Sequence, residues 1–219
     1  MLKTQDLGYW YQTANEPLFQ NVNLEFEVGK SYAILGHSGT GKTTFLSLIA
    51  GLDKPKAGDI LLDDKSLKKI GLTSYRRHDV AIVFQAYNLF TYMSPLNNLM
   101  TAMAITNAQH AGDKAYATQI LRDLGIGEEL ITRNVQHLSG GQQQRVAIAR
   151  TMACDAQVVV ADEPTGNLDE DNTNAVIKMF QKIAHEQNKC VIIVTHEPDV
   201  ADQCDHQYRL ENKEFKQLA

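Results

Sequence analysis

Four runs of continuous apolar, β-branched-rich residues limit the fold of this chain more than any other feature: Ser31 to Leu35 (SYAIL), Val80 to Phe84 (VAIVF), Val158 to Ala161 (VVVA) and Cys190 to Val194 (CVIIV). A strand with one face in water alternates polar and apolar residues. These runs do not alternate, so each needs cover on both faces, which predicts a parallel sheet inside an α/β layer structure. Val22, Leu24, Phe26 and Val28 do alternate, and a similar stretch, Gln207 to Leu210, leads into an Asn212-Lys213 turn. Both are expected as half-exposed antiparallel strands at the sheet margin.

Between the second and third buried runs the apolar period changes to that of a helix: Leu96, Leu99, Met100 and Met103, then Ala117, Ile120, Leu121 and Leu124, with Gly125 as a stop signal. Residues 86–153 are therefore expected as a mainly helical insert within an α/β core formed by residues 1–85 and 154–219, all in one unit of 1–219. The Met and aromatic residues of the insert read as packing, because they keep helical spacing. No repeat or low-complexity linker interrupts the chain.

A length of 219 residues with 43% hydrophobic content allows one sizeable core. The net charge of -5 with scattered basic residues argues against a nucleic-acid partner. Cys154, Cys190 and Cys204 are odd in number, without a C-x-x-C or zinc spacing, and read as reduced thiols of a cytosolic protein. The first residues, MLKTQDLGYWYQ, lack the pattern of a signal peptide, and no stretch approaches the roughly 18 apolar residues needed to span a bilayer. A membrane role would have to come through a partner.

Directly after the first buried run stands Gly36-His37-Ser38-Gly39-Thr40-Gly41-Lys42-Thr43, which satisfies G-x-x-x-x-G-K-[ST], with Thr44 continuing into a predicted helix. The glycines let backbone N–H groups curl round phosphate oxygens, and the helix start directs its positive dipole end at the same anion. Lys42 would reach the β- and γ-phosphates, and the Thr43 hydroxyl would ligate Mg²⁺. The third buried run ends in Asp162-Glu163, on the sheet rim where α/β proteins bind ligands. Asp162 would hold Mg²⁺ through water and Glu163 would polarise the attacking water. Alone, an acidic pair at a strand end is equally a solvated terminus; the loop upstream gives it a partner.

Leu138-Ser139-Gly140-Gly141-Gln142 precedes an apolar-periodic helix containing Val146, Ile148 and Ala149. Ser139 and Gln142 form a capping box, which by itself marks only a helix start. Two consecutive glycines inside it are not needed for capping, and they bare the first-turn amides to an incoming anion. With these residues the chain resembles the ABC transporter ATPases, whose signature motif LSGGQ is similar to this stretch. The resemblance extends along the whole chain. Gln85 is similar to the family's Q-loop glutamine, which senses Mg²⁺ and contacts the membrane partner, Gly166-Asn167-Leu168-Asp169 resembles the D-loop, placing Asp169 among the nucleotide-site residues, and His196 resembles the switch histidine. Tyr11 stands where the family places an aromatic that stacks on adenine, with Tyr9 and Trp10 as neighbouring rings able to do the same. The PTGNLD run from Pro164 and the YNLF run from Tyr87 resemble the branch serving macrolide and peptide export, lipoprotein release and cell division. His37 departs from the more usual proline, and Ala86 from the usual polar residue.

The resemblance implies an ATPase that uses Mg²⁺, in which the Ser-Gly-Gly of one copy completes the site on the phosphate loop of a second copy, head to tail. It implies an integral membrane permease as partner and a place on the cytoplasmic face of the membrane. Tyr87 to Pro95 (YNLFTYMSP) would supply part of the membrane-partner contact, or else pack between subdomains. Two roles fit: powering export or extraction of a peptide, lipid-linked or hydrophobic substrate, and mechanical control of a cell-wall enzyme. A DNA-repair or translation ATPase of the same core would need coiled-coil, zinc or second-cassette modules that 219 residues do not hold.

Overall fold

The computed structural model describes residues 1–218; Ala219, the last residue of the unit expected over 1–219, lies outside the described residues. In chain order the elements are β1 (Leu2–Tyr9), β2 (Phe19–Val22), β3 (Glu25–Phe26), β4 (Ser31–Leu35), α1 (Lys42–Ile49), β5 (Ala57–Leu62), β6 (Lys65–Ser66), α2 (Leu67–Ile70), α3 (Leu72–His78) and β7 (Val80–Val83). There follow α4 (Pro95–Thr106), α5 (Lys114–Asp123), α6 (Glu128–Ile131), a 3₁₀ turn at Val135–His137, α7 (Gly140–Met152), β8 (Val158–Asp162), α8 (Glu170–His185), β9 (Cys190–Thr195), α9 (Pro198–Ala201), β10 (His206–Glu211) and β11 (Glu214–Gln217).

The continuous apolar runs are the centre of a sheet ordered β11-β10-β4-β9-β8-β7, parallel except for the β10–β11 pair. Successive residues of one strand enter different cores, as the period of two requires. In β9, Val191 and Ile193 pack into the core built with the helices α4, α5, α7 and α8, whereas Cys190, Ile192 and Val194 pack into a core shared with α1 and the second sheet. β8 divides the same way, Val159 and Ala161 against Val158 and Val160. Apart from Asp162 at the end of β8, each residue of these strands is buried for its own reason, and the unbroken apolar run follows.

The second sheet is antiparallel, β2-β1-β5-β6 with β3 also on β1. It corrects two expectations. The strand read over Val22 to Val28 is broken at Asn23-Leu24 into β2 and β3, and Val28 is exposed. The break is fixed by Asn23, whose side chain accepts from Asp6 N, and by Leu24 N donating to Thr4 Oγ1. β10 is parallel to β4 on one side and antiparallel to β11 on the other, so it continues the central sheet instead of only fringing it.

Every element from α4 to α7 is helical. Ser94 caps α4 through Asn97 N with Pro95 in the first turn, and Asp113 caps α5 through Tyr116 N. Gly125, at φ 74, sits just past α5, with Ile126 N donating to Leu121 O, which ends the helix where expected. Among the described residues no helix is long and apolar enough to cross a membrane.

Candidate functional site: a nucleotide cleft on the carboxyl rim of the sheet

Strand register gathers the chemistry. Leu35 is paired with Thr195, and Val194 with Asp162, so the residues that leave β4, β8 and β9 emerge side by side: the Gly36 to Thr43 loop, Asp162-Glu163 and His196. They form a cleft of about 660 Å³ lined by Tyr11, Leu18, His37, Ser38, Gly39, Gly41, Lys42, Thr43, Thr44, Gln85, Glu163 and His196.

The loop folds as a cradle because glycine is required in it. A Cβ on Gly36 would stand 2.8 Å from Leu210 O, and Gly41 holds φ +109 with Leu18 2.7 Å from where a Cβ would be. Gly41 is the N-cap of α1 and offers no side chain to cap it, so the first-turn amides of α1 have no local acceptor. Lys42 is buried to 6% exposure, and its Nζ donates to Gly36 O (2.7 Å) and His37 O (3.1 Å) while lying 3.8 Å from Glu163 Oε1. Its charge is held over the loop by carbonyls that a phosphate would replace.

On the opposite wall, Thr43 Oγ1 donates to Asp162 Oδ1 at 3.3 Å. Burial pushes the Asp162 carboxyl above its ordinary range, the Glu163 charge adds to this, and Thr43 and Lys42 oppose it. A divalent cation would relieve that cost. Among the described residues no group of three His, Cys, Asp or Glu could hold a metal unaided. One hydroxyl and one carboxylate suit Mg²⁺, which keeps waters and takes its remaining ligands from substrate phosphates. Glu163 has a left-handed backbone, φ 46, with its N donating to Val194 O, and its Oε2 lies 2.5 Å from His196 Nδ1. The half-buried carboxylate thus touches Lys42 and His196 at once. Gln85 reaches the cleft from the end of β7, and its Nε2 packs on Gly166. Tyr11 is 69% exposed at the cleft mouth; its hydroxyl shares a 2.6 Å hydrogen bond with Thr44 Oγ1, and it stands edge-on to Tyr9. Tyr9 is buried and bonded to Asp53.

The signature residues lie elsewhere. Ser139, Gly140, Gly141 and Gln142 line no part of the cleft; they open α7, closed by a reciprocal capping box in which Gln142 N donates to Ser139 Oγ and Ser139 N to Gln142 Oε1. Asp169, expected among the nucleotide-site residues, caps α8 in the single copy: its Oδ1 accepts from Asn172 N and Nδ2. Gln144, three residues beyond the expected Gly141, was missed although its phase gave a signal: it shares a helix face with Gly141 and Ile148, where a polar residue is out of place, and it is fully buried.

Comparison with known proteins agrees with the geometry. The ABC transporter family model matches residues 19–166. The chain belongs to the ABC transporter ATP-binding family. An uncharacterised ABC transporter ATP-binding protein, YclH of Bacillus subtilis, is 51% identical over 215 residues, covering 98% of this chain and 95% of the relative. The lipoprotein-releasing system ATP-binding protein LolD of Rickettsia felis is 38% identical over 195 residues, covering 89% and 87%. Among solved structures, the dimeric bacterial ABC transporter cassette MJ0796 superimposes with a TM-score of 0.87 at 31% identity, covering 100% of this chain and 99% of that one, and a related structure of that cassette holds ADP and Pi after hydrolysis. As a member of this family the chain is an ATPase that binds ATP with Mg²⁺.

Proposed function

We propose that two copies of this chain bind two ATP molecules between them, head to tail, and that the closing and opening of the pair drive a separate membrane permease from the cytoplasmic face. The observation that carries the proposal is the division of the site: one cleft is lined by the phosphate loop, Glu163 and His196, with Asp162 bonded to Thr43 beside it, and Ser139–Gln142 lie outside it. A family ATPase whose signature helix start lies outside its own cleft would be completed by another copy. The dimeric cassette named above supports this reading.

Within the cleft Lys42 and the amides of the Gly36–Thr43 loop would bind the phosphates, Thr43 and Asp162 would hold Mg²⁺, and Tyr11 would stack on the adenine. Mg²⁺, when bound, would neutralise charge on the phosphate oxygens. Glu163 would accept the proton of the attacking water, and His196, donating from Nδ1 to Glu163 in this structure, would turn that donor toward the γ-phosphate. Residues 86–153 would form the arm that carries Ser139–Gln142 to the other copy. The permease would dock beside Gln85, where the Tyr87–Pro95 segment is split in two. Leu89 packs inward and Asn98 pins the backbone of Phe90, whereas the Phe90 and Tyr92 rings are 37% and 73% exposed. The likeness to LolD favours extraction or export of a lipid-linked or other hydrophobic substrate.

Light scattering on Glu163→Gln tests the pairing. Without its water acceptor the chain should keep ATP uncleaved, and since nucleotide bound far better by the pair than by the single copy stabilises the pair, Mg-ATP should convert monomer to dimer. A monomer at saturating Mg-ATP would count against pairing. Identification of the membrane subunit that co-purifies would assign the substrate.

A further inference from the structure

We propose that Gln144 is a positioning residue that ties the signature end of α7 to Glu163 of the same chain, so that engagement of Ser139 on one nucleotide sets the water-activating carboxylate at the other. This rests on the paired reading above.

Gln144 lies one turn into α7 and is wholly buried. Its Nε2 donates to Pro164 O at 2.8 Å, the carbonyl immediately after Glu163, and its Oε1 has no partner. A glutamine kept only for packing would be better replaced by an apolar side chain of equal length, since an unpaired buried acceptor is costly and a matched apolar swap is nearly neutral. What the amide supplies is its one directed bond.

That bond meets the chain where small shifts matter. Glu163 sits in the left-handed region, tied at its N to Val194 O and at its O to Gly166 N. Pro164 has a fixed φ, so of its two backbone torsions only ψ is left to absorb a movement of its carbonyl, and the remainder passes to the Glu163–Pro164 peptide. A second link holds the far end of the same turn: Arg145, the next residue of α7, donates from Nη2 to Asn172 Oδ1, and Asn172 is bonded to Asp169. The segment 164–169 is thus clamped to the first turns of α7 at both ends. Displacement of Ser139 toward a nucleotide on the partner copy moves that turn as one body, and Gln144 passes the motion to the backbone that aims Glu163.

Gln144→Met keeps the length and removes both the bond and the orphaned acceptor. The expected result is a kcat lowered roughly ten- to hundredfold, the scale of a misplaced reacting group, with KM for ATP and Tm unchanged. Ser139→Ala and the double variant complete a cycle: if Gln144 relays what Ser139 senses, the double variant is no slower than the slower single one. An unchanged kcat in Gln144→Met, or losses that add in the double variant, or a fall in Tm matching the fall in kcat, each overturns the proposal. Mg-ATP dimerisation of Glu163→Gln is read in parallel. Its absence alone refutes the pairing, whereas its presence together with an unaffected Gln144→Met refutes the relay and leaves the pairing standing.

Discussion

Two helix starts in this chain are proposed to meet an anion, and they are prepared in opposite ways. At α1 the N-cap is Gly41, left-handed and without a side chain, so nothing local competes for the first amides, and a buried lysine waits over them. At α7 the N-cap is Ser139, and the capping box with Gln142 satisfies the end from within. In the proposed site the first would bind because it is unfinished, whereas the second is capped on its own and would engage the nucleotide of a second copy. One end is therefore specified by the nucleotide it holds, the other by the arrival of a second molecule, which is the division of labour expected of a site made from two copies.

The largest expected effect breaks the first end. Lys42→Ala removes the one buried cation over the loop, so turnover should be undetectable and Mg-ATP affinity should fall roughly 30- to 1,000-fold, corresponding to about 2–4 kcal/mol for truncating a buried charge contact. Calorimetry giving wild-type affinity would show that α1 binds by its amides alone. Breaking the second end should look different. Ser139→Phe should lower turnover by about 10²–10³, the scale of one lost transition-state donor. ATP affinity of the isolated chain should stay within about 0.5 kcal/mol of wild type, because Ser139 is remote from its own cleft. If affinity and turnover fell together, α7 would merely start a helix.

The contrast between the two ends was legible in sequence for a physical reason. A phosphate loop needs its glycines at fixed places, and the two-sided burial of β8 and β9 forces continuous apolarity, so both leave unambiguous strings. β1 and β5 left none. Thr4, Gln5 and Asp6 interrupt β1, Asp6 takes a left-handed φ of 48, the pairing with β5 shifts register between Gln5 and Gly8, and β5 begins with exposed Ala57 and Gly58. Antiparallel strands covered on one side and broken by a bulge have no clean period to read. The resemblance places Asp169 at the nucleotide, while its Asn172 partner, three residues on as in any Asx cap, gives it a capping task in a single copy that no family motif announces. Gln144 stands in a run of three glutamines, where only its phase with Gly141 and Ile148 marks it for burial.

A smaller effect sharpens the picture of the first end at its mouth. Tyr11 is mostly exposed and Tyr9 is committed to Asp53, so of these two rings Tyr11 is the one free to stack. Tyr11→Ala should raise KM for ATP about five- to tenfold, roughly 1–1.4 kcal/mol of stacking, with kcat retained. Because a π-face does not read base edges, the ratio of ATP to GTP turnover should stay constant. The same change in Trp10→Ala would transfer the role to that ring.

The smallest effect belongs at the opposite rim of the sheet, where polar side chains are joined as closely as in the cleft but should do no chemistry. Asp205, just before β10, has an Oδ2 that accepts from Ser31 N (2.7 Å) and Ser31 Oγ (2.8 Å) and lies 2.9 Å from His185 Nε2 at the end of α8. Burial opposes its charge, but His185 and the two Ser31 donors outweigh it and bring the carboxyl down from 3.8 to about 2. A folded pKa below the unfolded one stabilises the ionised form: the contribution is complete above about pH 5, where even the unfolded carboxyl is almost fully charged, and is lost as pH falls through the unfolded 3.8 toward 2. Asp205→Asn should therefore melt below wild type at pH 7, by roughly 2–4 °C for each kcal/mol in a chain of this length, and the gap should close as pH approaches 2. ATP turnover at pH 7 should be unchanged, since Ser31 opens β4 at the end remote from Gly36 and Lys42. A Tm gap independent of pH would remove ionisation as the cause. A loss of turnover without a loss of Tm would mean that the two rims communicate through β4, and the chemistry would no longer be confined to the carboxyl ends of the strands.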